Sequence, residues 1–309
     1  MKRIKIGFLA ALLASCAAAA ATMPGEEEAY GDLAGRVVEH IRLWPKNAPH
    51  ETEADRGQYK KNPKRNMWMR NGVSQPELVI VAPAAENRRD TIVIAMPGGG
   101  YSTQNISSVL KNCRPILDSG RWLAVLNYRI PRRAGRELYA APREDAARAI
   151  RYLRANAAKF GWSPEKIGAI GFSAGGHLAA VSATSSQDTL YERIDALDDV
   201  SPHLNFSVPV YPAYVASDGP KGRNENGGDG ATIQPEFKFD AKTPPMFMVH
   251  GDKDHYSPMG SVLLYSELHR RKIPAQLFIY ANVSHGLGDT VNVRGWQDRV
   301  VDWIDSIGF

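Results

Sequence analysis

Gly171-Phe172-Ser173-Ala174-Gly175 stands between an apolar run at 167–170 and a small-residue stretch at 176–182. The run reads as a strand and the stretch as a helix, which puts Ser173 on a sharp strand-to-helix turn. A serine there is held in a strained backbone geometry that lifts its hydroxyl out of the sheet. The two flanking glycines carry no side chain, so the turn can close and the helix can start tight against the strand. The N-terminus of that helix supplies positive potential where a developing oxyanion would sit. G-x-S-x-G by itself recurs by chance, and a serine at such a turn can simply cap a helix; the strand before it and the helix after it are what make Ser173 a candidate nucleophile.

Outward from the turn, apolar runs alternate with helical patterns. Strands are expected at 78–81, 91–95, 122–126, 167–170, 206–210, 246–249 and 277–280, and helices at 144–158, 176–182, 261–271 and 296–307. In 144–158 the stripe Ala147, Ile150, Leu153 and Ala157 has helical spacing, and Ser163-Pro164-Glu165 reads as a cap and first turn. Strands separated by helices predict an α/β fold, a mostly parallel central sheet with helices on both faces. Chemistry in such sheets gathers at the carboxyl ends of the strands.

A serine hydroxyl needs a base, and the base an orienting acid. Of eight histidines, His285 follows the last expected strand in the polar loop Asn282-Val283-Ser284-His285-Gly286 and is the candidate base. His250 reads as a turn residue at the end of a strand, His177 as a packed residue on the helix after Ser173, and His255 as the remaining rival. His40, His50, His203 and His269 have no such setting. The loop His250-Gly251-Asp252-Lys253-Asp254 offers two acids; Asp254 is preferred, because Asp252 is close enough to the turn to bond its backbone. Two N–H groups must meet the oxyanion. Ala174 supplies one, and Gly98 or Gly99 of Pro97-Gly98-Gly99-Gly100-Tyr101 the other; the Lys-Ser or Lys-Thr of a phosphate loop is absent there.

These residues resemble the α/β-hydrolase superfamily, and most closely the bacterial acetylxylan-esterase-type carbohydrate esterases. The resemblance runs through Val73-Ser74-Gln75-Pro76, the Pro97–Tyr101 glycine loop, Asn127-Tyr128-Arg129, the stretch from Asp145 to Arg151, the serine turn and the two downstream loops. It implies an α/β-hydrolase fold, a serine esterase with Ser173 as nucleophile, His285 as base and Asp254 as orienting acid, and structural roles for Tyr128, Arg129 and Asp145. It implies no cofactor and no metal. The expected activity is removal of acetyl groups from polysaccharides or oligosaccharides through an acyl-enzyme. Feruloyl or general short-chain ester hydrolysis, or peptide hydrolysis, stands as the alternative, and a non-catalytic glycan-binding surface lipoprotein as the alternative of another class. Tyr101, Tyr211 and Tyr214 are aromatics that read equally as sugar-stacking rings or as ordinary packing, and Tyr101 and Tyr214 are the candidate substrate contacts.

Composition agrees with a globular enzyme: 309 residues, 43% hydrophobic and 23% charged. The net charge of +5 misleads, since Lys2, Arg3 and Lys5 account for three of the 38 basic residues and the other 35 face 33 acids. No nucleic-acid partner follows from that balance. Residues 1–21 have the layout of an export signal: a basic start, an apolar core at 6–13 and a small-residue run at 14–21. Leu13-Ala14-Ser15-Cys16 resembles a lipobox, which would make a lipidated Cys16 the mature N-terminus; ordinary cleavage after Ala19 or Ala21 would discard it. The expected location is periplasmic or membrane-anchored, with extracellular release also open, and Cys113 is left as a free buried thiol. The expected division is signal (1–21), tether and irregular segment packing on the domain (22–72) and catalytic domain (73–309). The polar segment 216–234 reads equally as a rim over the cleft or as plain surface.

Overall fold

The computed structural model describes residues 21–217, 232–288 and 291–309. Its centre is an eight-stranded sheet built from β1 (Val37–Arg42), β2 (Glu77–Val81), β3 (Ile92–Met96), β4 (Trp122–Asn127), β5 (Ile167–Phe172), β6 (Phe206–Val210), β7 (Met246–Gly251) and β8 (Ala275–Tyr280). The strands lie side by side as β1-β2-β4-β3-β5-β6-β7-β8. β2 runs antiparallel to both β1 and β4, and every pairing from β4 to β8 is parallel.

Every residue of β2 to β7 is buried, as expected for strands covered on both faces. The period of two is visible in where the side chains go. Ile92, Ile94 and Met96 join one core, with Leu78, Ile80, Ala124 and Leu126. Val93 and Ala95 join the other, with Val79, Val81, Leu123 and Val125. Each fully buried Val, Leu or Ile side chain contributes roughly 1.5–3 kcal/mol of burial. Five helices of more than ten residues cover the sheet: α1 (Ile106–Asp118), α2 (Ala140–Ala155), α3 (Ala174–Thr184), α4 (Met259–Arg270) and α5 (Trp296–Ser306). α2, α3 and α4 pack on the first core, α1 and α5 on the second. α1 shows why it forms: Ile106, Val109, Leu110, Cys113, Ile116 and Leu117 make one apolar stripe, and the Asn105 side chain accepts the Ser108 N–H at 3.1 Å. Among the described residues no helix is long and apolar enough to cross a membrane.

Three sequence-based expectations change. Segment 22–72 is irregular only in part, chiefly over 43–57: Val37–Arg42 is the edge strand of the main sheet. Gln58–Asn62 and Met67–Asn71 form a hairpin that pairs with Gln104–Asn105. Its polar composition concealed a buried cluster. Arg70 is fully buried, bonding Glu77 at 2.6 Å, the Tyr59 hydroxyl at 2.9 Å and the Arg56 carbonyl. The acidic start 24–30 contains the helix Glu26–Tyr30, with Ala29 and Tyr30 in the core. Ser163-Pro164-Glu165 starts no helix; Ser163 caps a turn through the Glu165 and Lys166 N–H groups. Residues 1–20, including Cys16, and most of 216–234 lie outside the described residues. Cys113 is a free, buried thiol whose pKa is pushed upward by desolvation.

Candidate active site

β5 ends at Phe172 and α3 begins at Ala174, leaving Ser173 alone between them at φ 56°, ψ −118°. That conformation is uncommon for a residue with a side chain and costs of order 1–3 kcal/mol, so neighbours must impose it. The Ser173 N–H donates to the Val210 carbonyl at 3.0 Å, and its carbonyl accepts from His177 and Ala213 at 3.0 and 3.1 Å. A Cβ on Gly171 would lie 2.0 Å from the Gly175 carbonyl, and one on Gly175 would lie 2.0 Å from the Met96 carbonyl. Only glycines allow strand, turn and helix to close this tightly.

Two loops at the neighbouring strand ends bring the partners. Asp254 follows β7 and His285 follows β8, and the loops are tied where Lys253 N–H donates to the Val283 carbonyl at 2.9 Å. Asp252 accepts the Val283 N–H at 3.3 Å, the backbone role expected for it. His285 Nδ1 lies 2.9 and 2.8 Å from the two Asp254 oxygens, and its Nε2 lies 2.9 Å from Ser173 Oγ. A carboxylate can only accept, so Nδ1 donates and Nε2 is left to accept the serine proton. The structure therefore brings Ser173, His285 and Asp254 together in one relay.

Burial alone would raise the Asp254 pKa. Hydrogen bonds from His250 and His285, electrostatic attraction to the His285 ring and the Tyr256 amide at 2.8 Å outweigh it and hold the carboxyl well below the usual range. His250 is thus more than a turn residue. It is fully buried, its Nε2 donates to the Tyr256 carbonyl at 2.8 Å, and its Nδ1 meets the Ser261 hydroxyl at 2.8 Å. Its position four residues before the acid was the signal available in the sequence. His255, the rival base, stands beside the same carboxylate, its Nδ1 3.7 Å from Asp254 Oδ1 and out of the relay.

The glycine loop lies against the elbow: a Cβ on Gly98 would sit 2.7 Å from the Phe172 carbonyl and 3.2 Å from Ser173 Cβ. Among the described residues, no acceptor takes the N–H groups of Gly98, Gly99 or Ala174. Tyr128, buried, donates to the Pro97 carbonyl at 2.5 Å and fixes the loop's base. Arg129 and Asp145 form a separate buried pair away from the cleft.

A cleft of about 470 Å³ opens over Ser173, its walls including Met67, Met69, Gly98, Gly99, Tyr211 and Tyr256. Tyr101 and Tyr214 do not line it. Tyr101 is fully buried with its hydroxyl 2.9 Å from His177 Nδ1, and the Tyr214 hydroxyl accepts from Arg132 at 2.9 Å. Both rings pack with their hydroxyls bonded within the protein, Tyr101 to the buried His177 and Tyr214 to Arg132. His177, read as packed, also bonds Glu236 through Nε2 at 3.0 Å, so it ties the glycine loop to α3 and to the chain before β7. Arg65, Met67 and Met69, from the hairpin, form the cleft wall that sequence reasoning missed.

The BD-FAE family model matches residues 78–212, which hold the glycine loop and the elbow. The chain is 28% identical to an acetylxylan esterase of Xylanibacter ruminicola over 72% of its own length and 47% of that protein's. It is 25% identical to an endo-1,4-beta-xylanase B of Butyrivibrio fibrisolvens over 72% of its own length and 38% of that protein's. The chain thus spans about half, or less, of these curated relatives. Among solved structures, an acetyl ester-xyloside bifunctional hydrolase of Caldicellulosiruptor lactoaceticus superposes with TM-score 0.65 at 28% identity, covering 87% of this chain and 96% of that one. By strand order, elbow and these likenesses, the chain has the α/β-hydrolase fold, and its residues 78–212 are similar to the BD-FAE family.

Proposed function

We propose that the protein is a serine carboxylic-ester hydrolase that removes acetyl groups from polysaccharides or oligosaccharides. The observation that carries this reading is the Ser173 Oγ to His285 Nε2 distance of 2.9 Å, with Asp254 2.8 Å from the opposite ring nitrogen. His285 takes the serine proton as Oγ attacks the ester carbonyl carbon. The tetrahedral oxyanion is met by the N–H groups of Ala174 and of Gly98 or Gly99, each donor being worth ~10²–10³ in rate. The sugar alcohol leaves with the proton held by His285. Water, deprotonated by the same nitrogen, then attacks the acetyl-serine and releases acetate, returning the proton to Ser173.

The acetylated-glycan part of the proposal is supported by what the similar proteins are called, an acetylxylan esterase and an acetyl ester-xyloside hydrolase. It is tested by acetate release from a panel of acetylated glycans, beside rates on acetyl, butyryl and feruloyl esters and a peptide anilide. Preference for acetyl substrates is expected. Feruloyl or peptide turnover faster by orders of magnitude would replace the acetyl assignment.

Export to the periplasm or cell surface belongs to the same proposal, supported by the basic, apolar and small-residue order of 1–21. Mass spectrometry of the mature N-terminus distinguishes lipid on Cys16 from cleavage after Ala19 or Ala21; an intact Met1 would contradict both.

A further inference from the structure

Beside the relay stands a group the proposed reaction does not use. His255 follows Asp254 directly, its side chain is 59% exposed, and its ring centre lies 4.7 Å from that of His285. Its Nδ1 is 3.7 Å from Asp254 Oδ1, and the same oxygen is 2.9 Å from His285 Nδ1. One ligand atom from each of Asp254, His255 and His285 falls within 4.8 Å of the others. A tetrahedral zinc ion with bonds of about 2.0–2.1 Å holds its donor atoms about 3.3 Å apart. Two of the three separations bracket that value, and a small rotation of the exposed His255 ring adjusts the third.

We propose that Asp254, His255 and His285 form an inhibitory site for a divalent cation that favours nitrogen donors, such as Zn²⁺. Two imidazoles and one carboxylate suit Zn²⁺ or Cu²⁺, whereas Mg²⁺ and Ca²⁺ require oxygen-rich shells. The exposed His255 gives the ion its entry path from the cleft. Coordination uses the lone pair of His285 Nδ1, so the ring's proton moves to Nε2. Protonated Nε2 cannot accept from Ser173, and Asp254 is turned from orienting the base to holding the ion. Binding therefore switches off the relay without displacing Ser173 or the oxyanion loop. This consequence rests on the reading of Ser173 and His285 given above; the binding itself does not.

The test separates the two. Ser173→Ala keeps all three donors, so titration of that variant with Co²⁺ should produce the visible absorption of a tetrahedral nitrogen-bearing site, displaced by Zn²⁺. His255→Ala in the Ser173→Ala background should weaken Zn²⁺ binding about tenfold or more, in line with loss of one of three ligands. On the otherwise unaltered chain, Zn²⁺ should inhibit ester hydrolysis and Mg²⁺ should not. His255→Ala should raise the inhibitory Zn²⁺ concentration about tenfold or more, measured against that variant's own uninhibited rate. Equal Zn²⁺ affinity with and without His255, or no spectral change with Co²⁺, would overturn the site. Zn²⁺ binding without inhibition would overturn the switch while leaving the site.

Discussion

Two buried aspartates, Asp145 and Asp254, make nearly the same kinds of bonds and serve opposite ends. Asp145 on α2 is fully buried and takes the Arg129 N–H at 2.8 Å, Arg129 Nε at 2.9 Å and Trp44 Nε1 at 2.9 Å. Arg129 in turn holds Glu144 at 2.6 Å and the Pro49 carbonyl at 2.7 Å, so the network closes on itself and joins the N-terminal segment to the sheet. Asp254 is also buried, but its chain of bonds runs outward through His285 to a hydroxyl facing a cleft. A saturated network fixes structure. One that ends on a nucleophile in open space has a bond left to make, and the difference lies in where the last donor points, not in the residue types.

The comparison predicts separable defects. Ser173→Ala should lower kcat by ~10⁴-fold or more while leaving the denaturation midpoint close to wild type, because the elbow is imposed by its neighbours; a rate within tenfold of wild type would break the distinction. Asp254→Asn should follow, with a kcat loss on the order of 10³–10⁴ from a wrongly oriented base. It also carries a pH signature. The native Asp254 carboxyl is more acidic than its unfolded counterpart at about 3.9, so the stability it contributes is fully present above that value. As pH falls below it and through the native value, that contribution is lost. The stability gap between wild type and Asp254→Asn should therefore shrink in acid, as read by denaturant unfolding at several pH values; a gap that widened in acid would reverse the assigned shift.

Asp145→Asn should show the converse pattern, a loss of about 3 kcal/mol in unfolding free energy with kcat per folded molecule nearly unchanged, since it removes one of the two buried carboxylates, with Glu144, that hold the Arg129 charge. Gly98→Ala should cost about 10²-fold in kcat, because the added methyl meets the Phe172 carbonyl and pushes one oxyanion donor away. The smallest effect belongs to the hairpin wall: Met69→Ala should change KM by a few-fold and leave kcat alone, and an equal fall in both would move that wall into the reacting geometry.

What could be read before folding follows the same division. Ser173, Asp254 and His285 were legible because each sits just past a strand whose apolar run is unmistakable, and strand ends of a parallel sheet converge. The interior strands β2 to β7 were legible for the same reason. The hairpin over Gln58–Asn71 was not, since Lys60, Lys61, Lys64 and Arg65 look like solvated loop while Tyr59 and Arg70 carry its inward face. β1 hid likewise: His40 and Ile41 face inward among Glu39 and Arg42. α1 has a plain apolar stripe opposite Lys111, Arg114 and Asp118, but Pro115 inside the run reads as a helix breaker. Tyr101 and Tyr214 were misplaced because a tyrosine past a strand end reads the same whether its hydroxyl meets a sugar or, as here, His177 and Arg132.

The central claim is that Ser173 Oγ becomes covalently acylated during turnover. Acid-quenching the enzyme with a rapidly cleaved acetyl ester and mapping the peptide containing Ser173 by mass spectrometry tests it most directly. One acetyl group on Ser173, absent from Ser173→Ala, is the predicted result; turnover with no acyl group on that peptide, or with the label on another residue, would contradict it.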